Sequence, residues 1–316
     1  MRVLVPATLA EGALGELPPD VELVLAGDGA IPPEAGDARM AILAGGLPRR
    51  LDDVLEAAPA LEVVQTVSAG VDWIVERLPD RITLCNASGI HDIPVAEWVV
   101  AAILAMVRRF PEFLALQGRG EWDRGINAFE GSTHASPLWP IPDLDGARVL
   151  VLGHGSIGRA VEERLRPFGA TVTGVARHER PGVRPLSEAH ALARQADVVV
   201  VLLPLTAETE GFVDGAFLDA MPDGALLVNA GRGKHVVTDD LVERLHAGRV
   251  RAALDVTDPE PLPDRHPLWR CPGLLITPHV AGTTEPWLGR ALAFAGDQVR
   301  RFAAGESLRN VRAEGY

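Results

Sequence analysis

Arg148-Val149-Leu150-Val151-Leu152-Gly153-His154-Gly155-Ser156-Ile157-Gly158-Arg159-Ala160 reads as a short apolar strand, a glycine turn and the opening of a helix. Gly153, Gly155 and Gly158 have the G-x-G-x-x-G spacing. In that pattern the first glycine permits a tight turn and the second lets backbone approach a pyrophosphate. The third lets helix pack close on strand, and the helix N-terminus offers N–H groups and a positive dipole to the phosphates. The spacing alone is a weak signal in a chain with 32 glycines among 316 residues. Its context strengthens it, because Val161 and Leu165 continue a helical pattern and an apolar strand at 171–175 closes the unit. The reading is a dinucleotide-binding βαβ unit; the plainer alternative is a tight strand–helix turn.

Outward from this unit the alternation continues. Strands are expected at 149–152, 171–175, 197–203, 225–229, 252–256 and 274–276. Six strands with intervening helices match a doubly wound dinucleotide-binding domain. Before it, strands are expected at 2–5, 21–25, 40–43, 61–67 and 82–86, with helices at 51–58 and 71–78. Ala69-Gly70 then ends the fourth strand and opens a helix, at the kind of strand end where open α/β sheets place ligands. The fold class is therefore α/β, with two doubly wound parallel sheets. Pro94 starts a helix whose 95–107 stretch is apolar nearly all round. Such a helix is buried, in a core or against a second subunit. From 117 to 146 the pattern breaks, with Trp122, Phe129 and Trp139 interspersed; a loop this long is expected to be packed, on a partner subunit if not on its own chain. Residues 288–303 form an amphipathic helix able to return to the first domain.

Length suits two domains. Apolar residues make up 47% and charged residues 23%, ordinary for a globular protein, and the formal net charge of −13 argues against nucleic-acid or anionic-membrane partners. Cys85 and Cys271 have no metal-ligand spacing and form no disulfide framework, which fits a reducing compartment. The apolar run 98–107 is too short to span a bilayer, and no signal-peptide pattern opens the chain. The expectation is a cytoplasmic protein.

The strand at 171–175 is followed by Ala176, Arg177, His178, Glu179 and Arg180. An acidic residue here would bind a ribose 2′-hydroxyl; Ala176 occupies that position and Arg177 follows. An arginine pairs with a 2′-phosphate bidentately, and His178 and Arg180 add to the same pocket. NADP(H) is therefore the preferred cofactor, with NAD(H) possible. A solvated basic turn is the plain alternative.

Three later segments place polar residues just past apolar strands. Arg232 sits in the turn Asn229-Ala230-Gly231-Arg232-Gly233, where a guanidinium can grip a carboxylate. Glu260 lies between Pro259 and Pro261. His279 follows a strand and Pro278. Singly, each has a bland reading as surface charge or satisfied core residue. Together they make a carboxylate anchor, a general acid/base and a carboxylate that orients it.

On these segments the chain resembles the D-isomer-specific 2-hydroxy acid dehydrogenase family. The similarity runs through Ser68-Ala69-Gly70-Val71-Asp72, Pro94-Val95-Ala96-Glu97, the glycine turn, Pro204-Leu205-Thr206, Asn229 to Gly233, Asp255-Val256 with Glu260-Pro261-Leu262, and Thr277-Pro278-His279. The resemblance implies a flavodoxin-like substrate domain (1–93 and 284–316) and a Rossmann dinucleotide-binding domain (94–283), with the active site in the cleft. It implies a homodimer through 94–146. It implies that a small 2-keto acid is held by Ser68, Ala69, Gly70 and Arg232, and that hydride reaches its carbonyl carbon while His279, oriented by Glu260, donates the proton. Gly153, Gly155, Ser156, Ile157 and Gly158 would hold the pyrophosphate. Leu203, Pro204 and Thr209 would line the adenine and ribose, Asp255 would lie near the nicotinamide as a cofactor-binding or supporting residue, and Gly282 would also bind the cofactor. Glyoxylate or hydroxypyruvate is the first substrate expected.

Two positions depart from the family pattern: Ala176, and His154, which is expected to point toward the cofactor cleft or solvent. Trp139 and Trp287 either shape the substrate pocket or serve packing. The alternatives are a non-catalytic NAD(P)H-sensing binding protein and a short phosphoglycerate dehydrogenase.

Overall fold

The computed structural model describes residues 1–10, 12–126, 136–138 and 140–312. Its strands are β1 (Arg2–Pro6), β2 (Glu22–Ala26), β3 (Ala38–Leu43), β4 (Val63–Thr66), β5 (Thr83–Cys85), β6 (Arg148–Leu152), β7 (Thr171–Ala176), β8 (Val183–Pro185), β9 (Val198–Val201), β10 (Ala225–Asn229), β11 (Val250–Leu254) and β12 (Leu274–Ile276). Its α-helices are α1 (Leu51–Ala57), α2 (Asp92–Val107), α3 (Phe110–Arg119), α4 (Ser156–Leu165), α5 (Ala189–Ala193), α6 (Gly215–Ala220), α7 (Thr238–His246) and α8 (Trp287–Ala303). Two compact units result, Met1–Asp92 with Thr284–Tyr316, and Ile93–Thr283. Among the described residues no helix is long and apolar enough to cross a membrane.

The first unit is built on a parallel sheet of order β2-β1-β3-β4-β5. That is the flavodoxin-like winding, in which the chain reverses direction between β1 and β3. Leu4, Ala41 and Leu43 pack on one face with Leu51 and Val54 of α1. Val3, Val5, Met40 and Ile42 alternate onto the other face, where Leu292, Ala295 and Val299 of α8 cover them. A buried amide pair locks α8 to β4. Gln298 donates to Gln65 Oε1 at 3.0 Å and to the Arg309 carbonyl at 2.8 Å, and accepts the Arg309 N–H at 2.9 Å. Two buried amides are tolerated here because these groups find partners. The helix expected at 71–78 is absent. Val71 and Ile74 are buried in turns, and only Val75–Arg77 closes a 3-10 turn. Three β-branched residues in so short a stretch gain more from burial than from helix.

The second unit carries the order β12-β11-β10-β9-β6-β7-β8, all parallel. Its centre, β9, is four valines, as a strand covered on both faces requires. Val199 and Val201 face Phe217, Leu241 and Leu245; Val198 and Val200 face Ile103 and Met106 of α2 and Val161 and Leu165 of α4. The apolar stretch 95–107 is thus packed in this unit's own core. Phe217 has no exposed surface, and truncating such a side chain to alanine costs about 3–5 kcal/mol.

Two elements were not legible as such. Strand β8 makes seven strands where six were expected. It is three residues long and ends in Pro185 at the sheet edge, the one place a strand tolerates proline. Helix α3 runs to Arg119, so the pattern breaks at Gly120 rather than at 117. Helix α2 begins at Asp92, two residues before Pro94, which still lies in the first turn where its missing N–H has no intrahelical role. Phe129 and Trp139 lie outside the described residues.

Candidate active site

The strand order of the second unit reverses between β6 and β9, and the connections after them leave in opposite directions. The glycine turn sits at that switch point. Gly153 has φ +98°, and a Cβ on it would lie 2.5 Å from the Leu202 carbonyl carbon, just past β9. A Cβ on Gly158 would lie 2.8 Å from the Gly153 carbonyl oxygen. These two glycines let three backbone segments touch. Gly155 differs, since a Cβ there would meet nothing within 4 Å. That open space stands before the ten-residue helix α4, whose first residues are Ser156, Ile157 and Gly158. Open room beside unpaired N–H groups at a positive helix end suits a pyrophosphate.

Strand β7 lies beside β6, so its end, Ala176, is next to this turn. Arg177, His178 and Arg180 follow as exposed residues. Arg177 stands 3.7 Å from Glu208, with both side chains mostly in solvent; such a pair is weak and leaves the guanidinium available. Arg180 donates to the His154 carbonyl, tying the basic turn to the glycine turn. His154 itself does not point to solvent, one of the two directions expected for it. It is 6% exposed, its Nε2 is 2.6 Å from Glu162 Oε2, and its ring covers Gly174. A Cβ at Gly174 would fall 2.4 Å from the ring. Burial pushes the Glu162 carboxyl up, but hydrogen bonds from His154 and Arg166 outweigh it and hold the group below its ordinary range.

Leu203 and Pro204 lie in the connection after β9, and Leu203 is buried. Thr209 is also buried, and its hydroxyl closes its own loop. It donates to the Pro204 carbonyl (2.6 Å) and accepts the Thr206 N–H (2.9 Å).

Arg232, Glu260 and His279 follow β10, β11 and β12, three adjacent parallel strands. Neighbouring strands lie about 4.8 Å apart, so the three loops emerge side by side at one sheet edge. Gly233 packs against Thr257, where a Cβ would meet the carbonyl oxygen at 1.9 Å. Thr238 Oγ1 donates to the Asp258 carbonyl at 2.7 Å, joining the first loop to the second. The Asp258-Pro259 and Glu260-Pro261 bonds are both cis. His279 Nδ1 is 2.5 Å from Glu260 Oε1, which leaves Nε2 as the nitrogen that can exchange a proton with a ligand. Both side chains are partly exposed, His279 at 49% and Glu260 at 38%, as groups that meet a ligand must be.

His279 has φ +55°, a left-handed backbone that non-glycine residues rarely adopt. Asp255 holds it there. The Asp255 carbonyl accepts the His279 N–H (2.7 Å). Its buried carboxylate accepts from Thr277 Oγ1 (2.5 Å), Val280 N–H (2.9 Å) and Ala281 N–H (2.8 Å). Gly282 follows directly. Asp255 thus supports the His279 turn, one of the two roles the resemblance implied for it. His235 and Asn229 play a similar part at Arg232 and were missed as site-builders. The signal for them was a polar residue three positions before and three positions after the anchor.

In the first unit Ser68, Ala69 and Gly70 form a turn after β4. Ser68 Oγ donates to the Gly70 carbonyl (3.0 Å), and Asn86 Nδ2 donates to the Ala69 carbonyl (2.6 Å). Both bonds use the turn's carbonyls. Trp287 packs against His91, with ring centroids 5.6 Å apart and the ring planes tilted by 32°.

Residues 100–281 match the sequence profile of the NAD-binding domain of the D-isomer specific 2-hydroxyacid dehydrogenases. A glyoxylate/hydroxypyruvate reductase A of Salmonella paratyphi B is 32% identical over 278 residues, covering 82% of this chain and 83% of the relative. Among solved structures, a D-isomer specific 2-hydroxyacid dehydrogenase of Xanthobacter autotrophicus in complex with NADPH and MES superposes with a TM-score of 0.80 at 28% identity, covering 99% of each chain. An NADPH-dependent glyoxylate/hydroxypyruvate reductase of Sinorhizobium meliloti in complex with NADP and sulfate gives 0.80 at 26% identity, covering 100% of this chain and 99% of the other.

Proposed function

The chain belongs to the D-isomer specific 2-hydroxyacid dehydrogenase family and is an NAD(P)-dependent 2-hydroxyacid dehydrogenase; from that premise we propose that it reduces short 2-keto acids, glyoxylate and hydroxypyruvate first, with NADPH as preferred cofactor. The observation that carries the chemistry is the His279–Glu260 pair at 2.5 Å beside the Arg232 turn. The observation that carries the cofactor preference is the exposed Arg177, His178 and Arg180 after Ala176.

Arg232 grips the substrate carboxylate and polarises the keto oxygen, so charge that develops on that oxygen meets a fixed cation. Glu260 holds Nδ1 of His279, and the ring presents Nε2 to donate a proton to the forming alkoxide. In the oxidative direction neutral His279 accepts that proton. The Ser68-Ala69-Gly70 turn is the substrate-binding element proposed for the first unit. Gly153, Gly155, Ser156, Ile157 and Gly158 would hold the pyrophosphate, and Arg177, His178 and Arg180 the 2′-phosphate. Leu203, Pro204 and Thr209 would line the adenosine side, with Asp255 and Gly282 behind the nicotinamide. When bound, the nicotinamide supplies the hydride.

A homodimer is proposed through the α2–α3 region. Phe110 and Leu114 share one face of α3 and stay exposed, as does Trp122 beyond it. Sedimentation of the purified chain as a monomer at micromolar concentration would remove this part.

The test is kcat/KM for glyoxylate and hydroxypyruvate with NADPH and with NADH. Turnover with NADPH favoured is the expected result. Arg177→Asp is expected to shift the NADPH:NADH ratio about tenfold toward NADH, because a carboxylate there repels a 2′-phosphate. Preference for NADH in the wild type would sink the cofactor assignment. No turnover of any short 2-keto acid would favour a binding protein that senses NAD(P)H. Turnover of a phosphorylated 2-keto acid alone would favour a short phosphoglycerate dehydrogenase.

A further inference from the structure

The turn that presents Arg232 takes its shape from two buried side chains that the chemistry above does not use. Asn229, the last residue of β10, accepts the Gly231 N–H through Oδ1 (3.0 Å) and donates through Nδ2 to the Arg232 carbonyl (2.9 Å). His235 has no exposed surface. Its Nδ1 accepts the backbone N–H of Arg232 at 3.1 Å, and its own N–H donates to the Arg232 carbonyl at 3.2 Å. This reciprocal cap closes the single 3-10 turn Gly233–His235. The ring lies against Gly231, where a Cβ would come within 3.2 Å of Nδ1 and Cε1. The His235 carbonyl accepts the Val213 N–H at 2.9 Å, which anchors the residue to the segment before α6.

An Nδ1 that accepts an N–H carries no proton, so this ring is the neutral tautomer with its proton on Nε2. Arg232 has extended backbone (φ −139°, ψ 145°), and its Nη1 donates to the Gly231 carbonyl at 2.9 Å. The guanidinium therefore leans on the same turn that the histidine closes. The His235 acceptor thus fixes the Arg232 N–H, beside the two Asn229 bonds that hold Gly231 and the Arg232 carbonyl.

We propose that His235 is a positioning residue for Arg232, and that its Nδ1 acceptor sets where the guanidinium meets the substrate's carboxylate and keto oxygen. The proposal rests on the reading of Arg232 as substrate anchor. It explains why a histidine is fully buried three residues past a cationic anchor. A phenylalanine would fill the volume and a lysine or glutamate would be solvated, but only an acceptor at this point fixes the Arg232 N–H. A small misplacement of such an anchor costs up to about 100-fold in rate.

The experiment compares His235→Phe with His235→Asn in steady-state glyoxylate reduction, beside wild type and Arg232→Ala. Phenylalanine keeps the ring volume without an acceptor; asparagine puts its amide oxygen where Nδ1 stood. His235→Phe is expected to lose about 10- to 100-fold in kcat/KM, through both a higher KM for glyoxylate and a lower kcat. Its NADPH Kd, read by nucleotide fluorescence, stays within about twofold of wild type, because cofactor binding does not use Arg232. His235→Asn is expected to recover to within about fivefold of wild type. Should His235→Phe fail to fold, His235→Gln replaces it, since its amide oxygen reaches the Nε2 position instead. Equal losses in the asparagine and acceptor-less variants would overturn the proposal, since packing alone would then explain them. So would full activity in His235→Phe while Arg232→Ala is crippled; that outcome leaves the reductase reading standing. An inactive wild type overturns the reductase reading and this proposal with it.

Discussion

The glycine turn after β6 and the three loops after β10, β11 and β12 sit on one sheet, and they are made in opposite ways. The glycine turn is made by missing side chains: Gly153 lets Leu202 approach, Gly158 lets Gly153 approach, and Gly155 leaves open room. The three loops are made by buried polar side chains. Asn229 and His235 shape the Arg232 turn, and Asp255 holds His279 at φ +55°. Binding a pyrophosphate needs backbone N–H groups and space, and a glycine supplies both by what it lacks. Presenting a guanidinium and an imidazole needs rigid support, and only side-chain hydrogen bonds to specific backbone groups provide it. The first kind of site tolerates changes nearby that do not add atoms. The second kind fails when a single acceptor is lost.

His279→Ala separates the two regions most sharply. Loss of the general acid is expected to cost about 10²–10⁴-fold in kcat, with NADPH affinity unchanged in fluorescence titration. A mutant of full activity would refute the role. Asp255→Ala attacks the support rather than the chemistry. It leaves the Val280 and Ala281 N–H groups without their acceptor, an expected loss of about 1–3 kcal/mol in stability. A fall of about 100-fold in kcat/KM is expected as the His279 turn relaxes. Stability lost with kcat/KM intact would mean that Asp255 does not position the catalytic loop.

Gly174→Ala tests the contrary principle beside the glycine turn. The added methyl meets the His154 ring, an overpacking cost of about 1–3 kcal/mol by denaturant unfolding. Removing the ring as well, in His154→Ala/Gly174→Ala, is expected to relieve most of that cost; strict additivity of the two changes would contradict the contact. The smallest effect is expected for Glu162→Gln. The Glu162 carboxyl is held below its ordinary range, so in the folded state it contributes stability above about pH 4.3. That contribution is lost as pH falls through its lowered folded value. The Tm of Glu162→Gln is therefore expected below wild type at neutral pH, with the gap closing under acid. A gap that widens in acid would reverse the assigned sign.

The same division explains what could be read from the chain. The G-x-G-x-x-G spacing is local, because turn, open room and helix start lie within six residues. The apolar strands show for a related reason: a parallel strand buried on both faces must be nearly all apolar, as Val198–Val201 is. Edge strand β8 is exempt from that demand, and its Val183-Arg184-Pro185 has no apolar run to read. Val71 and Ile74 carry a helical spacing that serves burial in turns instead.

The sequence by itself determined the alternation of strands and helices, the dinucleotide turn and the family, and it singled out Arg232, Glu260 and His279 as the chemical set proposed here. Residue type and short-range spacing carry each of these. Only the tertiary structure decided that His154 turns inward onto Glu162 and Gly174, that α2 packs on β9, and that Asp255 and His235 build the turns for His279 and Arg232. Most of these outcomes depend on which distant strand or helix lies alongside, or on which buried N–H lacks a partner. Asp255 reaches residues 280 and 281 only because β11 and β12 are neighbours. Hydrogen bonds between neighbouring loops follow from strand order, and strand order is a property of the folded sheet rather than of any one stretch of chain.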